Sequence, residues 1–137
     1  MEVRGREEQA VRTYNLTGHA VCFRRSGRTI NIPADGTLRL ELRAQPGGTL
    51  FLEFAGGHLT TPCNYPPEVV DLACPEGFDV GQLRPGDAIV VSRHTGEYLA
   101  RHPEVLSGVR VFSPETEIDA FRTRGHLAGV RRFRLWR

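Results

Sequence analysis

From Thr13 onward the apolar residues fall in short groups separated by turn residues, a pattern that predicts strands in preference to long helices. Tyr14 and Leu16, then Ala20 to Phe23, then Ile30 and Ile32 form the first groups. Ser26-Gly27 predicts a hairpin turn, and Pro33-Ala34-Asp35-Gly36 predicts the next reversal. The clearest strand is Thr37 to Arg43, where Leu38, Leu40 and Leu42 alternate with Arg39, Glu41 and Arg43. Gln45-Pro46-Gly47-Gly48 predicts a turn into a strand from Thr49 to Ala55, with Gly56-Gly57 leading to a hairpin partner that begins at His58-Leu59-Thr60. Three prolines make Thr61 to Pro67 irregular, and residues 69 to 83 read as a short apolar run with loops.

The last third has a different rhythm. A strand is predicted at Ala88 to Ser92, a short helix at Thr95 to His102 with Tyr98 and Leu99 inward, and a second strand at Val109 to Phe112. This is a small βαβ candidate, whose linker of roughly 17 residues exceeds the dozen or so that a parallel crossover needs. A polar loop follows, and Val130 to Trp136 reads as a closing strand with Val130, Arg132, Arg134 and Trp136 on one face. The predicted architecture is a polar arm over residues 1–12 and one α+β domain over 13–137. That domain is β-rich, with antiparallel hairpins, then the βαβ-like unit and the closing strand.

Composition narrows the partners. The chain has 137 residues, 39% hydrophobic and 25% charged, in the range of folded domains. A net charge of +2 argues against a polyanion as obligatory partner, so nucleic acid is not the expected one. Every one of the 18 basic residues is Arg, the better side chain for forked contacts to phosphate or carboxylate. No apolar stretch resembles a signal peptide or a membrane span; the longest strongly apolar run is Ala88-Ile89-Val90-Val91. Three cysteines read as reduced thiols, and the expected location is the cytoplasm.

The site expectation follows from the βαβ candidate. Ligands collect at the carboxyl ends of parallel strands, where a helix N-terminus offers unpaired N–H groups to an anion. Those ends are Ser92-Arg93-His94-Thr95-Gly96 and Ser113-Pro114-Glu115-Thr116. Ser92, Arg93, Thr95, Gly96 and Ser113 are therefore the candidate cradle for an anionic group, with Arg131, Arg132 or Arg134 reaching in from the closing strand. In a nucleotide the base would stack on Trp136 or Tyr98.

Other constellations carry less. His19, Cys22, Cys63 and Cys74 contain zinc-type ligands, but Cys63 and Cys74 are too far apart for a usual knuckle, and no metal or cofactor is expected. Nothing local marks a cysteine as an activated nucleophile. Glu115, Glu117 and Asp119 alternate along what reads as a solvated loop. The function expected is non-enzymatic binding of a small anionic, nucleotide-like ligand. Two other readings stand beside it. One is a protein or nucleic-acid interaction module using the basic, aromatic C-terminal strand; the other is a phosphoester hydrolase using His94 or His19. Edge-strand pairing would also make the chain a homo-oligomer.

Several short segments resemble a family of small proteins from phage, prophage and bacterial genomes. They are Asn15-Leu16-Thr17-Gly18-His19 and Ile32-Pro33-Ala34-Asp35-Gly36, with Ile89-Val90-Val91-Ser92, Phe112-Ser113-Pro114-Glu115-Thr116 and Gly129-Val130-Arg131-Arg132 in the second half. In that family the opening reads Asn-Leu-Thr-Pro-His and the hairpin Ile-Pro-Pro-Ser-Gly, so Gly18 and Ala34-Asp35 depart from it at turn positions expected to alter the fold little. The resemblance implies a phage-related accessory role, such as sequestering a nucleotide signal from host defence.

Overall fold

A computed structural model describes residues 10–74 and 77–137. Most of the polar arm expected over residues 1–12 lies outside them. The described chain is strand-rich, with antiparallel hairpins and one α-helix. The described residues divide into two compact units, one of residues 10–39, 74 and 77–137, the other of residues 40–73. Among the described residues no helix is long and apolar enough to cross a membrane.

The first unit is organised by a four-stranded sheet in the order β1 (Thr13–Asn15), β6 (Ala88–Val90), β7 (Arg110–Pro114), β10 (Phe133–Leu135). β1, β6 and β7 run parallel, with Thr13 opposite Ala88 and Ala88 opposite Arg110. β10 runs antiparallel to β7. The central strand β6 is apolar along its whole length and fully buried, as a strand covered on both faces must be. Leu16, Ile89, Val91, Leu99 and Val111 make the centre of the core, each with no exposed surface. Tyr14 and Phe78 close one end, ring edge to ring face at 5.0 Å.

Helix α1 (Arg93–Arg101) links β6 to β7. It starts two residues before the predicted Thr95, because the Ser92 side chain caps the N–H of Thr95 and so fixes the first turn. Leu99 is its core residue, while Tyr98 is only half-buried and stacks on His102 at 4.2 Å. Past the helix end, the Arg137 guanidinium donates to the carbonyls of Leu99, His102, Val105 and Leu106. The carbonyls of Leu99, His102 and Leu106 also accept a backbone N–H, so the guanidinium adds a second donor to each of them and reaches the Val105 carbonyl as well.

Two further hairpins belong to this unit. β2 (Val21–Arg25) and β3 (Arg28–Ile32) are joined by Ser26-Gly27, both at positive φ (53° and 75°), the geometry of the tight turn that suits hairpin twist. β8 (Phe121–Thr123) and β9 (His126–Gly129) turn the same way through Arg124-Gly125, at 52° and 79°. The polar loop expected here is thus a hairpin, and the closing strand shrinks to Phe133–Leu135. Val130 leaves the sheet and runs beside β2, its N–H bonded to Cys22 and its carbonyl to the Arg24 N–H.

Asn15 explains the opening motif. It is 1% exposed, and its side-chain amide donates to the carbonyls of His19 and Ile32 while its Oδ1 accepts from the Thr17 N–H and hydroxyl. Gly18 sits at φ 89°, and a Cβ there would lie 2.7 Å from the Thr37 hydroxyl. Proline cannot adopt that φ, so Gly18 is a local requirement of this backbone and not a neutral change.

The second unit is a single two-stranded ribbon, β4 (Arg39–Phe54) and β5 (Gly57–Ala73). The turn expected at Gln45–Gly48 and the irregular stretch at Thr61–Pro67 are both strand. A two-stranded ribbon has an open edge on each side, so a proline there costs no ladder bond wherever its missing N–H would face outward.

Candidate functional site

The carboxyl ends of β6 and β7 do converge. Ser92 and Arg93 face Pro114 and Thr116 across a cavity of about 460 Å³. The opposite wall comes from Thr17, His19 and Cys22 and from Leu127 to Val130. The wall is mainly apolar, and its polar side chains are the hydroxyls of Thr17, Ser92 and Thr116, the His19 ring and the Arg93 guanidinium.

The expected anion cradle is largely committed to internal partners. Thr95 is 1% exposed, and its hydroxyl takes a bond from the Ser92 hydroxyl at 3.1 Å and reaches toward the Leu38 carbonyl at 3.5 Å. Gly96 does not make room for a ligand. It makes room for Trp136, whose Nε1 lies 2.4 Å from where a Cβ would be. That Nε1 donates to the Ser113 hydroxyl at 2.9 Å, and Ser113 is 2% exposed. Trp136 is accordingly a packing residue here, not the free stacking platform expected from its position.

The arginines are matched to the three alternating carboxylates that had read as a solvated loop. Arg134 donates to both oxygens of Glu115 at 2.9 and 3.0 Å. Burial opposes ionisation of Glu115. The bonds from Arg134 and the Ile118 N–H, with the charges of Arg134 and Arg93, outweigh it and hold the carboxyl below its usual range. Arg93 pairs with Glu117 on the cavity rim. Arg131 and Arg132 share Asp119 at 3.0 and 3.5 Å, and the Arg131 bond is the main reason that carboxyl also titrates low.

A second recess was not foreseen. Arg24, Arg25 and Arg28 of the β2–β3 hairpin face Arg131 and Arg132 across a cleft of about 440 Å³. The Phe121 ring lies in the same cleft, with the Arg24 guanidinium 4.1 Å and the Arg131 guanidinium 5.7 Å from its centroid. Asp119 is the one carboxylate in the lining. Five guanidiniums against one carboxylate leave a strong local excess of positive charge in a chain whose net charge is only +2. The signal in the sequence was Arg24-Arg25-Ser26-Gly27-Arg28, a tight turn flanked on both sides by arginine. It read only as a turn because nothing local places residues 131–132 against it.

Of the eight expected residues, Ser92 and Arg93 line the cavity and Arg131 and Arg132 line the cleft, while Thr95, Gly96, Ser113 and Arg134 are internal supports. His94 is exposed at the start of α1 and lines neither recess. Cys22, Cys63 and Cys74 are free thiols, and burial is the main influence that raises the Cys74 pKa, away from a reactive thiolate. Among the described residues no three His, Cys, Asp or Glu side chains are gathered as a metal site would need. Compared with protein-family models, curated proteins and solved structures, the chain matches none. Its chemistry has to be read from its own residues.

Proposed function

We propose that the chain binds a small anionic, nucleotide-like ligand without turning it over, and that the arginine cleft holds the phosphate. The observation that carries this reading is the five-to-one ratio of guanidinium to carboxylate in that recess. Like charges crowded into one cleft repel, and a bound anion relieves the repulsion while accepting forked hydrogen bonds. The apolar cavity and the cleft follow one another along β2, from Val21-Cys22 to Arg24-Arg25. A ligand with a charged end and an apolar end suits that succession.

The test is calorimetric titration with a nucleoside and its mono-, di- and triphosphate at low salt. Affinity should climb with phosphate number, and Arg28→Ala or Arg132→Ala should each weaken triphosphate binding by about tenfold or more. Binding that ignores both substitutions, or no binding at all, defeats the reading. Chromatography of the incubated triphosphate separates it from a hydrolase, which would release product. A second reading, a short stretch of single-stranded nucleic acid, is favoured by the arginines stacked on Phe121. It predicts a steep fall of affinity with salt, with a slope set by several phosphates.

A further inference from the structure

The arginine cleft already contains an anionic side chain. Asp119 stands at the tip of the loop over residues 115–120, between β7 and β8. Its Oδ1 accepts from Arg131 Nη1 at 3.0 Å, and its Oδ2 lies 3.5 Å from Arg132 Nε. One carboxylate thus spans two guanidiniums with one oxygen on each, as two oxygens of a phosphate can. The Asp119 side chain is 38% exposed, and those of Arg131 and Arg132 are 43% and 58% exposed. Ion pairs that water reaches to this extent are weak, and salt weakens them further.

The loop is held unequally along its length. At its base Glu115 is buried, takes the bonds from Arg134 and accepts from the N–H groups of Glu117 and Ile118. At its tip Ile118 is 60% exposed, and Asp119 adopts φ 58°, a left-handed backbone that costs most L-residues energy. The β2–β3 hairpin also lines the cleft, and there Arg25 sits directly opposite Arg28 in the ladder. Like charges so placed repel. Among the described residues, Asp119 is the one carboxylate that lines the cleft with them.

We infer that Asp119 is a built-in competitor for the cleft, engaging Arg131 and Arg132 until an entering phosphate takes those two guanidiniums from it. This rests on the reading of the cleft as a phosphate site, and adds how that site is regulated from within the chain. A terminal phosphate brings close to two charges and three acceptor oxygens, against one charge and two oxygens on the carboxylate. The exchange therefore gains charge-assisted hydrogen bonds. The displaced carboxylate loses little, because solvent already reaches it. The tip of the loop is free to follow it outward, while Glu115 keeps the base in place.

Calorimetric titration with inorganic pyrophosphate at low salt tests this, since the probe has charge without base or sugar. Asp119→Asn should bind pyrophosphate about three- to tenfold more tightly than wild type. Asparagine tolerates the left-handed backbone, so the change removes the charge and keeps the turn. In the Arg131→Ala background the same change should gain less than about twofold, because the guanidinium that Asp119 chiefly holds is gone. A gain that persists in full there comes from net charge alone and overturns the inference. So does an Asp119→Asn protein that binds no more tightly than a wild type that does bind, and the cleft then stands as a phosphate site without a competitor. Absence of binding by both proteins removes the phosphate site as well. If Asp119→Asn loses its fold by circular dichroism, or Arg131→Ala binds too weakly to compare, NMR titration of the wild-type Asp119 carboxyl decides. Saturating pyrophosphate should bring that titration up toward the ordinary aspartate range, since the Arg131 bond is what chiefly holds it low. A carboxyl that still titrates low in the complex has kept its arginines, and the inference fails.

Discussion

Gly96→Ala separates a packing role from a ligand role at the start of α1. In an ordinary helix interior this change stabilises by about 1 kcal/mol, because alanine is the better helix former. Here the new methyl would sit 2.4 Å from Trp136 Nε1 and 2.5 Å from its Cδ1, so the indole has to move. Overpacking of that kind costs about 1–3 kcal/mol. Moving the indole also breaks its bond to Ser113, a residue 2% exposed whose hydroxyl is then left short of a partner, at about 1–3 kcal/mol. The net expectation is a loss of about 1–5 kcal/mol. Urea unfolding followed by fluorescence reads it directly, because Trp136 is the single tryptophan. In the Trp136→Leu background, where circular dichroism replaces fluorescence as the readout, the alanine penalty should shrink, since the side chain that blocks it has become smaller. A Gly96→Ala protein as stable as wild type, or more stable, would show that helix propensity alone governs the position and would refute the packing argument.

Arg137→Ala should cost about 1–3 kcal/mol, measured by the same unfolding assay, because it removes the charged donors that tie the Leu99, His102, Val105 and Leu106 carbonyls together; Arg137→Lys should recover less than half, since an ammonium cannot fork across several acceptors. Glu115 titrates below its unfolded value of 4.5, so its pairing with Arg134 contributes stability that is fully present above that pH and is lost as pH falls through the lower folded value. The melting temperature of wild type should therefore fall more steeply below pH 4.5 than that of Arg134→Met, and parallel curves would refute this.

What could be read from the sequence was the local chemistry. Ser26-Gly27 announced its hairpin, and the strand–helix–strand run from Ala88 was visible in its apolar groups and its Ser92 cap. Arg124-Gly125 has nearly the same dihedrals as Ser26-Gly27. It stayed hidden because Phe121 and Leu127 are the large apolar residues of its two short flanks, too few for a period to show. The prolines at 46, 62, 66 and 67 argued for breaks, and they mislead where a strand has an open edge. At the site the difficulty was one of pairing. Glu115, Glu117 and Asp119 looked solvated, and Arg131, Arg132 and Arg134 looked free, because no local rule says that the two runs neutralise each other. Only the antiparallel register of β7 and β10, with Pro114 opposite Phe133, brings Arg134 to Glu115. The arginine cleft likewise needs Val130 to run beside β2, a contact far apart in sequence.

The parallel pairing of Thr13 with Ala88 has a consequence for how the molecule comes into being. During synthesis the first strand emerges long before its neighbour exists, and the whole ribbon is made in between. Its outer faces can close only by a long-range event late in translation, after the last of β6 has cleared the ribosome. Until then Tyr14, Leu16 and the ribbon are together in the open, and a chaperone that shields extended apolar segments would find its longest opportunity there.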